Sequence, residues 1–241
     1  MRTNTQLVTL GMPDSYSKEI RDLHLFSDME DQHFQSLIRA AYVQNFPPQI
    51  ELISEGDPSD FLHILLTGSV DLFSSWNERE TSMATVRPIS TFILAATVRE
   101  APYLMSARTM EKSRIMLIPS QNVREVFAQD GEFARAIVDE LAQCYRGVIK
   151  NTKDLKLRTS LERLANYLLR EQQRNGGAAS YKLEAEKRRL ASVLGMTSEN
   201  LSRAFKGLRP YGVTVTGKQI TITNQQDLEG FAKPHPLIDK R

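Results

Sequence analysis

The side chains best placed to do chemistry lie between Thr197 and Lys206. Ser198, Glu199, Ser202, Arg203 and Lys206 fall at steps of three and four, the spacing of one helix face. Arg203 carries a planar donor fork that matches O6 and N7 of guanine, and Glu199 can accept from the N4 amino group of cytosine. Ser202 is short enough to meet a thymine edge or a phosphate, and Ser198 completes the base-facing set. Lys206 and Thr197 suit phosphate contacts. The competing reading is a solvated amphipathic helix with ordinary surface charges.

Such a comb works only if something presents it. Leu201, Ala204, Phe205 and Leu208 form the opposite, apolar stripe of the same helix. Leu190, Val193 and Leu194 do the same for a helix before it, Gly195 permits the turn between them, and Thr197 or Ser198 can cap the second. This is the pattern of a helix-turn-helix, whose second helix enters the major groove. Arg188 and Arg189 on the first helix add phosphate-contact candidates. Further on, Val213–Ile222 reads as a hairpin turning at Gly217-Lys218, with Lys218 at its tip as another.

MTSENLSRAF resembles the recognition helix of the CRP/FNR superfamily of bacterial transcription regulators. Glu199, Ser202 and Arg203 match the Glu-x-x-Ser-Arg form of the FNR branch, and Ser198 stands where CRP proper has Arg. The resemblance implies TTGAT-like half-sites rather than TGTGA. It also implies a homodimer on double-stranded DNA and RNA polymerase as a partner. Two reading heads about 34 Å apart would meet an inverted repeat.

Charge supports that division of labour. From Lys156 to the end there are 16 Lys and Arg against 8 Asp and Glu, whereas the remainder carries 15 against 21. A basic third behind an acidic body is expected when one domain faces phosphate. No apolar run is long enough for a membrane span, and Met1–Gly11 lacks the pattern of a signal peptide. One cysteine, Cys144, excludes an internal disulfide framework and suits a cytoplasmic chain. No nucleophile–base cluster, metal spacing or phosphate loop appears, so no enzymatic role is expected.

Ahead of the basic third, Met1–Ser17 reads as a loose arm, and Lys18–Phe26 and Asp31–Tyr42 as helices, the second capped by Ser27 or Asp28. Strand-like runs follow at Ile50–Ile53, Leu62–Leu66, Ser69–Ser74, Thr81–Val86 and Arg114–Ile118. SEGDPSDFLHILLTGSVDLF, with turn glycines Gly56 and Gly68, resembles the start of the cyclic-nucleotide-binding β-roll, a resemblance covering about Leu23–Ile118.

Nucleotide-binding members pair a Gly-Glu-Leu stretch with a later Arg-Ser, for ribose and cyclic phosphate. Here Ala95 stands at the Glu and Met105 at the Arg, and only Ser106 survives. A buried phosphate without a cation is costly, so cyclic AMP is not the expected effector. What remains is an apolar pocket drawn from Phe92, Ile93, Leu94, Ala95, Val98, Tyr103, Leu104, Met105 and Ser106. It is either a packed core without a ligand or a site for a small apolar effector. Haem is a further alternative, with His24, His33 or His63 as conceivable ligands. A 4Fe-4S cluster needs four thiolates and is excluded by the cysteine count.

Ser120 can cap a short helix. A longer one follows Asp130-Gly131, with Ala134, Ile137, Leu141, Cys144, Val148, Asn151 and Leu155 as an a/d seam for dimerisation. Phe133, Val138, Tyr145 and Ile149 lie beside it and are expected against the roll, with a hinge over Thr152–Leu157. A helix packed wholly within its own domain is the alternative. The fold class is α+β: an effector-sensing jelly roll with its N-terminal helices (18–118), connecting and dimerisation helices (119–155), and a winged helix-turn-helix (156–241).

Overall fold

The computed structural model describes residues 14–240 apart from 78, 184 and 185. Two compact units result, divided between Gln143 and Cys144.

The first unit opens with α1 (Asp14–Arg21), α2 (His24–Ser27) and α3 (Asp31–Ala40). Residues 1–13 of the expected arm lie outside the described residues, and Asp14–Ser17 belong to α1. The single helix expected over Lys18–Phe26 is instead two. Arg21 crosses the break and donates to the carbonyls of Phe26 at 2.9 Å and Met29 at 2.6 Å. Neither Ser27 nor Asp28 caps α3. Its N-cap is Glu30, whose backbone N–H donates to Asp130 Oδ2 at 2.8 Å.

Strands β1 (Tyr42–Phe46), β2 (Glu51–Ile53), β3 (Phe61–Thr67), β4 (Val70–Trp76), β5 (Arg79–Val86) and β6 (Ser90–Phe92) precede the short helix α4 (Leu94–Arg99). Then come β7 (Ser106–Thr109), β8 (Ser113–Pro119) and α5 (Ser120–Gln129). Two antiparallel four-stranded sheets form, in the orders β1-β8-β3-β6 and β2-β7-β4-β5. Strand β3 is buried on both faces, which is why it reads as an unbroken apolar run. Leu62, Ile64 and Leu66 pack with the helices, while Leu65 packs between the sheets with Ile53, Val70, Leu72 and Phe92. At the β3–β4 turn Gly68 has φ +92°, and a Cβ there would lie 2.7 Å from the Lys112 carbonyl. Only glycine fits. Ser120 does not cap α5; it is the first helical residue after the N-cap Pro119.

Helix α6 (Gly131–Leu157) starts on Asp130, whose Oδ1 accepts from Phe133 N–H at 2.9 Å. It continues unbroken through the segment expected to be a hinge, and the chain turns only at Arg158-Thr159. Of the expected seam, Cys144, Val148 and Leu155 are exposed and Ala134, Leu141 and Asn151 half-buried, and Ile137 departs from it. Ile137 is fully buried in the first unit's own core, beside Phe133 and Ala136, and so cannot face a second copy. Val138, Tyr145 and Ile149 are 59, 67 and 40% exposed. With Val148 at 63% and Leu155 at 42%, these are the large exposed apolar positions of the helix along with Leu157, while Leu141 is half-buried against the first unit's core. Steps of three and four also link Val138, Leu141, Tyr145, Val148, Thr152 and Leu155, a set that keeps Leu141, Val148 and Leu155 of the expected seam and puts Val138, Tyr145 and Thr152 in place of Ile137, Cys144 and Asn151.

The second unit adds α7 (Ser160–Arg174), β9 (Ser180–Lys182), α8 (Lys187–Val193) and α9 (Ser198–Gly207), then β10 (Val213–Thr216), β11 (Gln219–Ile222), α10 (Gln225–Ala232) and α11 (Pro236–Asp239). A reciprocal capping box opens α7: Thr159 N–H donates to Glu162 Oε2 at 2.8 Å, and Glu162 N–H to Thr159 Oγ1 at 3.3 Å. The three strands pair antiparallel in the order β10-β11-β9. Leu164, Leu168, Leu190, Leu201, Phe205, Leu208, Val213 and Ile220 fill one core beneath them. Among the described residues no helix is long and apolar enough to cross a membrane.

Candidate nucleic-acid interface

Helix α9 sits as its sequence dictates. Leu201, Ala204, Phe205 and Leu208 are buried, so Ser198, Glu199, Ser202, Arg203 and Lys206 are left on the exposed face. Of the two cap candidates it is Thr197 that serves: its Oγ1 accepts from Asn200 N–H at 3.2 Å. Ser202 Oγ donates to the Ser198 carbonyl at 3.0 Å, which commits its proton to the helix and leaves its lone pairs outward. The Glu199 carboxyl is held below the usual range, first by its own backbone N–H and then by the Thr197 hydroxyl and the Arg203 charge. It is therefore an ionised acceptor one helical turn from the Arg203 donor fork.

Flanking cations lie in the same unit. Arg188 is exposed on α8, while Arg189 is partly buried and already engaged in a contact. Lys218 is exposed at the β10–β11 turn, beside Gly217 at φ +63°. Its carbonyl accepts from Leu183 N–H at 2.8 Å, which anchors the wing to β9.

The turn between α8 and α9 rests on groups that no pattern announces. Gly195 adopts φ +61°, and a Cβ there would lie 2.7 Å from Leu155 Cδ2. Arg163, buried on α7, donates Nε to the Leu194 carbonyl at 2.8 Å, Nη2 to Gly195 at 3.3 Å and Nη1 to Arg158 at 2.7 Å. Backbone carbonyls carry no side-chain signature, so nothing in the sequence marks Arg163 as the brace of this turn.

The expected roll pocket does not assemble. Residues 94–99 are helical, which sends Leu94 and Val98 into the core shared with the helices. Phe92, Ile93, Tyr103 and Met105 pack between the sheets instead. Ala95 is exposed, Leu104 is 82% exposed, and Ser106 Oγ accepts from Glu55 N–H at 2.9 Å. A hollow of about 470 Å³ lies elsewhere, lined by Ser59, Asp60, Glu100, Ser120 and Arg124 among others.

The charges a cyclic nucleotide needs are also misplaced. Arg99 is exposed on α4. Arg108 follows the inward Ala107, stacks 4.4 Å from the Phe73 ring centroid and donates to Glu80 at 2.6 Å. The residues present do not fit a cyclic phosphate. Nor do the histidines form one site. His24 is exposed, and His33 meets Asp130 at 3.0 Å. His63 is buried, with its ring centroid 5.1 Å from Phe92 and 6.5 Å from Tyr103.

Comparison with known proteins gives two matches in tandem. Residues 43–130 match the cyclic nucleotide-binding domain, and residues 162–231 match the Crp-like helix-turn-helix domain. A CRP-like cAMP-activated global transcriptional regulator of Mycobacterium tuberculosis is 23% identical over 215 residues, covering 87% of this chain and 96% of that protein. FixK2 from Bradyrhizobium japonicum shares the fold with a TM-score of 0.67 and 23% identity, covering 79% of this chain and 96% of that one. A putative transcriptional regulator of the crp/fnr family from Eubacterium rectale aligns with a TM-score of 0.70 and 16% identity, over 87% of this chain and 98% of that one. A two-sheet roll that matches the cyclic nucleotide-binding domain, followed by a winged helix-turn-helix that matches the Crp-like domain, makes the chain a member of the CRP/FNR superfamily of transcription regulators.

Proposed function

We propose that the chain acts as a homodimer on a palindromic site of TTGAT-like half-sites, under the control of an effector other than a cyclic nucleotide. One observation carries the reading of sequence: Glu199, Ser202 and Arg203 are exposed together on a capped helix whose other face is core. Arg203 and Glu199, with Ser198 and Ser202, select bases. Lys206, Arg188, Arg189, Lys218 and Thr197 register the protein on phosphates. The outward stripe on α6, from Val138 to Leu155, supports the dimer.

For the roll, Met105 and Ala95 in place of charged partners support an apolar effector or none. Any such effector must open the packing around Phe92 and Tyr103, which is a shift between two packed states. Fluorescence anisotropy on a TTGAT palindrome, a TGTGA palindrome and a scrambled duplex tests the reading. Tightest binding on the first, at two chains per duplex, is expected. Equal affinity for all three overturns it.

A further inference from the structure

Three segments of the second unit converge on one carboxylate. Arg158, at the junction of α6 and α7, has a side chain only 8% exposed. It donates to Asp154 at 2.9 Å and holds Asp239 bidentately at 2.8 and 2.6 Å. Asp239 also accepts from Arg170 of α7 at 2.7 Å and from the His235 N–H at 2.7 Å. Lys150 of α6 donates to the Lys240 carbonyl. Two guanidiniums and two carboxylates thus neutralise one another while nearly buried. The geometry is that of charge-assisted, forked pairing, the strong kind of hydrogen bond.

We propose that the tail, residues 234–240, clamps the α6–α7 junction, and that Asp239 is a positioning residue for DNA binding. The tail folds back through Pro234 and Pro236, and α11 presents Asp239 to helices that end and begin about eighty residues earlier in the chain. Without Asp239, Arg158 keeps Asp154 as its one carboxylate among the described residues. Burial pushes the Asp239 carboxyl up, but the Arg158 hydrogen bonds, the His235 N–H and the charges of Arg158 and Arg170 outweigh it, so the group stays ionised at neutral pH. The junction leads directly to the reading head: Arg163 Nη1 takes the Arg158 carbonyl and its Nε takes Leu194, at the end of α8. A clamped junction limits the orientations that α9 samples against α6. This rests on the dimer reading above, in which two heads must keep a fixed separation, and loosening either one costs binding entropy.

The test uses the full chain, as wild type, Asp239→Asn, Asp239→Glu and a truncation after Lys233. Hydrogen–deuterium exchange is read for residues 150–159 against residues 198–208, and affinity on a duplex that the wild type retains from a random-sequence pool. Expected for Asp239→Asn and for the truncation is about tenfold faster exchange at 150–159, unchanged exchange at 198–208, and DNA binding weaker by about three- to tenfold. Asp239→Glu restores part of both. Unchanged exchange at 150–159 overturns the clamp. Faster exchange across the whole unit reduces the tail to a fold element and overturns it too. Faster local exchange with unaltered affinity overturns the positioning role. A retained duplex unrelated to TTGAT counts against the half-site alone and leaves this proposal standing, whereas a wild type that retains no duplex overturns both.

Discussion

Arg163 Nε donates to the Leu194 carbonyl at 2.8 Å, so one buried cation ties α7 to the end of α8, the helix that precedes the reading helix. The same side chain serves Gly195 and Arg158. Arg163→Ala strands these acceptors and is expected to destabilise the second unit by about 2–4 kcal/mol. Arg163→Lys, with one ammonium for a fork, recovers less than half. Urea unfolding of both variants, followed by tyrosine and far-ultraviolet signals, measures the difference.

Base readers and phosphate contacts separate by their signatures. Arg203→Ala should erase about 1–3 kcal/mol of preference for the cognate palindrome over a scrambled one. Lys218→Ala should weaken both duplexes alike and lower the salt slope by about one per head. Titrations at several salt concentrations distinguish them. Loss of preference in Lys218→Ala with none in Arg203→Ala reverses the assignment.

The helix seam gives a register test. Tyr145→Asp, at an outward position that belongs to the Val138 register alone, should shift the chain towards monomer in sedimentation while each unit keeps its circular dichroism. Ile137→Asp places a charge in the first unit's own core and should unfold that unit at any protein concentration. The opposite pattern restores the seam through Ile137.

His63 sets a pH dependence. Burial lowers its pKa from 6.5 to about 4, against a smaller opposing pull from the Phe61 backbone. The unfolded chain therefore takes up a proton at His63 before the folded one does. Its contribution is constant above pH 6.5 and is lost as pH falls towards 4, by about 3 kcal/mol in all. His63→Phe should flatten that part of the stability profile. An unchanged slope between pH 6.5 and 4 would falsify the assignment.

The reading helix was legible because local rules and burial agree there: cap, stripe and outward charges all follow from residues within one short stretch. The seam was half legible. Leu141, Val148 and Leu155 belong to both possible registers, and α6 is apolar on two sides near its start, one for its own core. Periodicity alone does not say which side that is. The pocket failed differently, since Leu94–Arg99 is an apolar run too short for periodicity to separate strand from helix. Partners distant in sequence stayed invisible for a third reason. Asp130 reaches Glu30 across 100 positions, and Arg158 reaches Asp239 across 81, with no pattern to link them.

The bare apolar ridge of α6 has a consequence for abundance. On the proposed reading its hydrophobic cover is a second molecule, so melting temperature should climb with total chain. A dilute cell would then hold fewer competent readers per molecule than a crowded one. Expression level itself becomes an input to the response.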